Sequence, residues 1–375
     1  MKFGEEELPI TTPALLLDIG KLDANLARMY AQVDRLGVPL RPHMKTAKSI
    51  DVARRALNGR PAQITVSTLS EARYFAEHGI TDILYAVGVT PDKLAEARAL
   101  RNVGVDLSII LDSVEMAEAV AAGGAVPTLL EIDSDGHRAG FAPDDPALVE
   151  AARALASVGP GAFRGVMTHA GGSYDCRSEE ALRAAAARER LALVEAAERI
   201  QASSVPCAVR SAGSTPTALF ADSAEGLTEL RAGVFMFQDL VMAGLGVCAI
   251  DDIAVSVQTS VIGHQAAKEW IIVDAGWMAM SRDRGTASQP IDQGYGLVCD
   301  AAGQTISDLI MVAANQEHGI LAMRPGSMAT LPQLPLGTKL RILPNHACAT
   351  AAQHAAYRAI GADGAELQWQ RMTGW

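Results

Sequence analysis

Gln63-Ile64-Thr65-Val66-Ser67 reads as a strand, and residues 70–78, closed by Gly79, as the helix that follows it. β-Branched residues at consecutive positions favour extended chain, and a glycine just past the last periodic residue ends a helix. This unit decides the fold because it recurs. Residues 82–86 read as a strand and 91–100 as a helix; 106–111 with 113–122, 128–133 with 146–157, and 163–167 with 178–203 continue the alternation. Residues 207–211, 229–233 and 234–237 complete it. About eight strand–helix units thus precede residue 245. That count, with short loops between units, favours a closed parallel barrel over an open doubly wound sheet.

Outward in the N-terminal direction, Val38-Pro39-Leu40 leads as a strand into Arg41-Pro42-His43-Met44-Lys45-Thr46-Ala47-Lys48. Before it, residues 21–36 have helical periodicity, with Leu22, Leu26, Met29, Tyr30 and Val33 on one face. Residues 10–19 are a strand-like run interrupted by Pro13. In the C-terminal direction the pattern changes after about residue 250. Residues 255–263, 270–274, 295–299 and 339–343 are short strands with few helices between them, the pattern of a mainly antiparallel β domain. The expected division is an α/β barrel over residues 21–245 and a β domain over 246–375.

Composition narrows the function classes. The net charge of −11 argues against non-specific nucleic-acid binding, while leaving room for a locally basic pocket. No apolar run reaches the length of a membrane span, and Met1-Lys2-Phe3-Gly4, followed by three glutamates, lacks a signal-peptide core. A cytoplasmic location is the expectation. The five cysteines, an odd number without tight spacing, read as reduced thiols.

In a parallel barrel, reacting groups gather at the C-terminal ends of the strands. Lys45, Ser67, Arg138, His169, Gly213 and Asp239 all fall just after expected strands. Lys45 lies among other basic side chains, as either an anion-binding patch or a lysine serving as Schiff-base nucleophile or general base. Gly213-Ser214-Thr215 precedes a short helix and offers N–H groups and hydroxyls to a phosphate, or is simply a capped turn. No P-loop or G-x-G-x-x-G fingerprint occurs. Arg138 follows Asp133 and Asp135, either of which could hold it in a salt bridge. His346-Ala347-Cys348 places an imidazole and a thiol two residues apart; on a strand both would share one face and suit Zn²⁺, although a lone buried cysteine is often inert.

Arg41-Pro42-His43-x-Lys45-Thr46-x-Lys48 resembles the pyridoxal-phosphate lysine motif of the D-threonine aldolase and D-serine dehydratase family, fold-type III enzymes with the alanine-racemase-like fold. The likeness extends from Thr12-Pro13-Ala14 to the C-terminus. It implies a pyridoxal-phosphate-binding (β/α)8 TIM-type barrel plus a mainly antiparallel β domain, with residues 1–20 joining the β domain. It implies that Lys45 carries the cofactor. Gly213, Ser214 and Thr215 would bind its phosphate, and Arg138 would face its pyridine nitrogen. His169 and Tyr174 would line the ring or substrate. His346 and Cys348 would hold the metal, Zn²⁺ rather than the Mn²⁺ or Mg²⁺ suited to the His-x-Asp of the aldolases. His318 is expected near that site. Arg282 and Arg284 are cations available to a second substrate carboxylate, or members of a solvated loop. The implied reaction is β-elimination from a D-3-hydroxy amino acid, with retro-aldol cleavage as the alternative, in a homodimer.

Overall fold

The computed structural model describes residues 11–124 and 126–375. The chain divides into two compact units. One comprises Asn25–Phe235 with Leu245–Val247 and Met372–Trp375; the other comprises the described residues up to Ala24, with Met236–Gly244 and Cys248–Arg371.

Strand β1 (Ala14–Asp18) and helix α1 (Ile19–Leu36) open the described chain. The first unit is then an alternation of strand and helix. It runs β2 (Leu40–Pro42), α2 (Ile50–Ala56), β3 (Gln63–Val66), α3 (Leu69–Glu77), β4 (Asp82–Gly88), α4 (Pro91–Asn102), β5 (Asp106–Leu111) and α5 (Val114–Ala122). It continues with β6 (Thr128–Ile132), α6 (Pro146–Ala156), β7 (Phe163–Thr168), α7 (Glu179–Ala202), β8 (Val209–Ala212), α8 (Thr215–Phe220) and β9 (Glu229–Ala232). Helix starts are set locally. Thr68, Ser113, Asp145 and Ser178 each accept an N–H of the first turn that lacks an intrahelical partner, and Pro91 and Pro146 stand where a missing N–H is harmless.

The eight strands pair in parallel in the order β2-β9-β8-β7-β6-β5-β4-β3. The ring closes through a parallel bridge between His43 and Thr65. Met44 N donates to Thr65 O (2.8 Å) and His43 N to Ala232 O (2.7 Å), so the residues just before Lys45 form the closing seam. Inside, Leu84, Ile110, Leu129 and Met167 form an apolar layer. Arg41 does not extend the basic patch. Its guanidinium is buried against Glu229 (2.9 Å) and Asp82 (2.7 Å), where breaking the pair would strand a charge. Residues 234–237, expected as a strand, begin as a short 3₁₀ helix, Val234–Met236. A fully buried apolar run does not distinguish the two by periodicity.

The second unit is antiparallel. Strands β10 (Val255–Gln265), β11 (Trp270–Val273), β12 (Gly296–Cys299), β13 (Thr305–Ala314), β14 (Gly319–Met323) and β15 (Lys339–Pro344) close on themselves in the order β10-β11-β14-β13-β12-β15. β1 pairs with β10 and with β16 (Ala356–Ile360), which forms a hairpin with β17 (Glu366–Gln370). The expectation for residues 1–10 lies outside the described residues. Short helices α9 (Leu240–Gly244), α10 (Trp277–Met280) and α11 (Ala347–Ala351) complete the unit. Its core joins Leu240, Ile253, Leu297, Cys299, Ile310 and Leu343. No helix among the described residues is long and apolar enough to cross a membrane.

Candidate functional site

The barrel unit gathers the first cluster. Of the basic side chains around Lys45, Arg41 is paired with Glu229 and Asp82, and Lys48 Nζ meets the buried Glu71 carboxylate at 3.1 Å. Lys45 is exposed, and its ammonium has no ion-pair partner among the described residues. Burial, with the charges of Lys45 and Arg231 and the nearby His169, pushes the His43 imidazole well below the usual histidine range. His169 follows β7. Burial first, then the charge of Lys45, lowers its pKa to about 3, against the opposing hydrogen bond to Gly213. The imidazole is therefore neutral, and because Gly213 O can only accept, His169 Nδ1 donates to it (3.3 Å) and leaves Nε2 as an acceptor.

The turn after β8 is held from several sides. Gly213 N donates to Glu189 Oε1 (3.0 Å) and Ser214 N to Thr217 Oγ1 (2.9 Å). Ser214 Oγ meets Ser173 Oγ at 3.0 Å, and Thr215 Oγ1 accepts from Phe235 N. This leaves the Thr215 N–H, the first of α8, without a protein acceptor among the described residues. Gly213 has φ +132°, and a Cβ there would lie 2.2 Å from Arg231 O, so only glycine fits. Arg231 is itself buried, donating to Ser211 O and Oγ (2.7 Å each) and to Thr168 O (2.6 Å). An uncommitted helix-start N–H, local hydroxyls and a cationic surround of Lys45, Arg138 and Arg231 fit a phosphate-bearing cofactor beside an available lysine.

Arg138 departs from its expected pairing. It meets Glu131 (3.1 Å), whose carboxyl is pushed up by burial, and neither Asp133 nor Asp135. Asp133 Oδ1 instead accepts from Gly136 N (2.7 Å), shaping the turn, and Asp135 Oδ2 accepts from Gly172 N (2.8 Å). Tyr174 lies half-buried in the 3₁₀ turn Gly171–Asp175.

The β unit holds the second cluster, with a correction to its geometry. β15 ends at Pro344; His346 is the N-cap of α11 and Cys348 lies in its first turn, so the pair is not on alternating strand positions. Asp283 Oδ2 accepts from His346 Nδ1 (2.8 Å). Burial opposes the imidazolium, but the hydrogen bonds to Asp283 and Cys348 outweigh it and raise His346 to about 11. His346 also holds the Asp283 carboxyl below its usual range. With Nδ1 committed to a carboxylate, Nε2 is the nitrogen offered to a metal, the orientation that histidine ligands commonly take. Asn345, buried, donates to Asp283 O (3.1 Å) and Gly294 O (2.7 Å) and accepts from Thr286 Oγ1 (2.9 Å). Asp239 Oδ2 accepts from Ala347 N (3.0 Å), anchoring the residue between the two candidate ligands. No group of three or more His, Cys, Asp or Glu side chains is placed to hold a metal among the described residues. An imidazole and a thiol fit Zn²⁺ whose remaining positions are taken by water or substrate.

His318 is exposed in the turn between β13 and β14, where its carbonyl accepts from Asn315 N. Arg282 lies over the Trp277 ring, and Arg284 pairs with Asp292 (2.8 Å) at the surface. Sequence reasoning missed Asp283, Arg231 and Glu189. Asp283 is 63 residues from its partner and carries no local signal. Arg231 and Glu189 do: one is a charge in a fully buried strand, the other a carboxylate on the apolar stripe Leu182, Ala185, Ala186, Leu193 and Ala196 of α7.

Two family models cover most of the chain: alanine racemase, N-terminal domain, over residues 17–240, and a putative serine dehydratase domain over 254–360. The chain therefore belongs to the alanine-racemase-like family of pyridoxal-phosphate-dependent dehydratases and aldolases, which are lyases. Among particular relatives, it is 52% identical to the D-threo-3-hydroxyaspartate dehydratase of Delftia sp. (strain HT23), covering 98% of this chain and 99% of that protein. It is 30% identical to a D-threonine aldolase of Arthrobacter sp., covering 94% and 89%. A cysteine-to-alanine variant of a D-threo-3-hydroxyaspartate dehydratase, solved in the metal-free form, superposes with a TM-score of 0.94 at 51% identity over 98% of each chain.

Proposed function

We propose that the protein is a pyridoxal-phosphate- and zinc-dependent dehydratase of D-3-hydroxy amino acids. Its candidate substrates are D-threo-3-hydroxyaspartate, D-serine and D-threonine. The observation that carries this reading is the His346–Cys348 pair with Asp283 on His346 Nδ1, in a chain 52% identical to a dehydratase. Bound pyridoxal phosphate supplies an acceptor for the electron pair released at Cα, and bound zinc supplies Lewis acidity at the β-hydroxyl. Lys45 would hold the cofactor, and its amine, when free, would take up the Cα proton of the substrate. Ser214 and Thr215 hold the phosphate, with Gly213 allowing the close approach. Arg138 would lie toward the pyridine nitrogen and disfavour its protonation, since adjacent positive charges repel. His169 and Tyr174 line the ring. His346 and Cys348 hold the metal, and Asp283 fixes the imidazole.

The bond between Cβ and the hydroxyl breaks, the hydroxyl leaves as water, and the released enamine takes up water to give a 2-oxo acid and ammonia. A homodimer in the cytoplasm is part of this reading, with light scattering as the check on assembly. Retro-aldol cleavage to glycine and an aldehyde is the second reading, favoured by the 30% identity to a D-threonine aldolase. Incubating the protein, loaded with pyridoxal phosphate and zinc, with each candidate substrate separates the two. Ammonia and the matching 2-oxo acid without glycine support the dehydratase; glycine with glyoxylate or acetaldehyde overturns it.

A further inference from the structure

Helix α7 (Glu179–Ala202) packs an apolar stripe against the barrel, and one carboxylate lies on that stripe. Glu189 is 3% exposed, at a position where a charged group is costly unless it is fully hydrogen-bonded. Its Oε1 accepts two backbone N–H groups, from Ala170 and from Gly213, each at 3.0 Å. These donors follow the ends of β7 and β8, adjacent parallel strands paired through Met167 and Ser211. Beyond that register no strand ladder among the described residues holds the two loops together, and one side-chain oxygen from the helix behind them bridges both.

The two donors are also chemically placed. Ala170 follows His169, and Gly213 precedes Ser214 and Thr215. Two further ties cross at the same point: His169 Nδ1 donates to Gly213 O (3.3 Å), and Ser173 Oγ meets Ser214 Oγ (3.0 Å) while donating to Ala170 O (2.7 Å). The carbonyl that orients the imidazole therefore belongs to the same residue whose N–H is fixed by Glu189. Moving the Gly213 peptide would turn the histidine and shift the Ser214–Thr215 turn together.

We propose that Glu189 is a positioning residue for the cofactor, locking the His169 loop and the Ser214–Thr215 turn into one block so that ring and phosphate are placed together. The inference rests on the reading that this protein binds pyridoxal phosphate at that turn. Side-chain length and acceptor character, rather than charge alone, are what the position requires. Glutamine retains an oxygen of the same reach; aspartate retains the charge but is one methylene short.

The test compares holoenzymes of the wild type with Glu189→Gln, Glu189→Asp and Glu189→Ala variants. Pyridoxal-phosphate affinity is measured by equilibrium dialysis, the bound phosphate by ³¹P chemical shift, and protection of the segments containing Ala170 and Gly213 by hydrogen exchange. Losing the clamp is expected to weaken cofactor binding by about tenfold in the aspartate and alanine variants. The ³¹P resonance moves and both segments lose protection. Glutamine restores affinity to within about threefold and keeps the wild-type shift. Should the alanine variant fail to fold, the aspartate and glutamine pair still decides. Folded aspartate and alanine variants with wild-type affinity and ³¹P shift overturn the inference. Absence of binding by the wild type itself would instead overturn the cofactor reading on which it stands.

Discussion

Asp283 decides which nitrogen of His346 is offered to a metal. Its carboxylate accepts from Nδ1, which would leave Nε2 for the proposed coordination, and the buried Asn345 donates to the Asp283 carbonyl. Replacing Asp283 by Asn keeps the shape but removes the charge that orients and strengthens the ligand. Zinc affinity of Asp283→Asn is expected to fall by about 10–100-fold, measured by competition with a chromophoric chelator. In the proposed site Cys348 would determine which metal the pair prefers. Cys348→Asp exchanges a soft thiolate for a hard oxygen, so metal analysis after loading from a zinc–manganese mixture should show a shift toward manganese. An unchanged metal ratio would remove Cys348 from the ligand set. Lys45 is tested by a different readout. Lys45→Ala should leave no protein-bound cofactor absorbance after dialysis, and a dialysis-resistant band would remove Lys45 from its proposed role.

The turn from β8 into α8 shows why one missing methyl matters at the scale of an element. A Cβ at position 213 would overlap Arg231 O in the neighbouring strand, and φ +132° is itself unfavourable for alanine. Gly213→Ala should destabilise the barrel by about 3 kcal/mol or more, read in denaturant unfolding, and weaken cofactor binding with it. Although β2 (Leu40-Arg41-Pro42) and β9 (Glu229-Leu230-Arg231-Ala232) carry charges and gave a weaker signal, most barrel elements were legible because their strands are short β-branched or apolar runs and their helices carry start residues such as Thr68, Ser113, Asp145 and Ser178. Residues 63–67 and 178–203 correspond closely to β3 and α7 for this reason. The β unit was legible only in part. β13 has Asp308 at positive φ and a register shift between Met311 and Ala313, and β17 has Trp369 as its one buried residue, so neither shows a regular alternation. Candidate site residues were legible where they follow a strand, as Lys45 and His169 do. Asp283 and the Arg138–Glu131 pairing were not, because they depend on how distant turns come together. Cys348 was visible as a residue, but its helical setting was not: the strand was read as ending at Leu343, and the five-residue helix that follows, Ala347–Ala351, is too short to show a period.

For the molecule as a whole, the proposed role of His346 as a metal ligand would link stability to metal loading. Without metal its pKa is raised from 6.5 to about 11, so the stability it contributes is fully present below 6.5 and lost as pH rises through about 11. Asp283 is lowered from 3.8, so its contribution is present above that value and lost as pH falls through its lower folded pKa. The pair therefore supports the metal-free fold across the neutral range, with its losses at the alkaline and acidic ends. In the proposed site zinc would replace the imidazolium proton at Nε2, so binding would release that proton and strengthen as pH rises. Each pH unit should tighten zinc binding by about tenfold for that one proton. The difference in Tm between zinc-loaded and chelated protein should accordingly widen between about pH 6.5 and 8.5. Differential scanning fluorimetry at fixed free zinc measures this directly. A gap that stays flat or narrows would mean that His346 does not exchange its proton for the metal, whereas loss of the pH dependence in Asp283→Asn would trace it to the carboxylate that holds the ring.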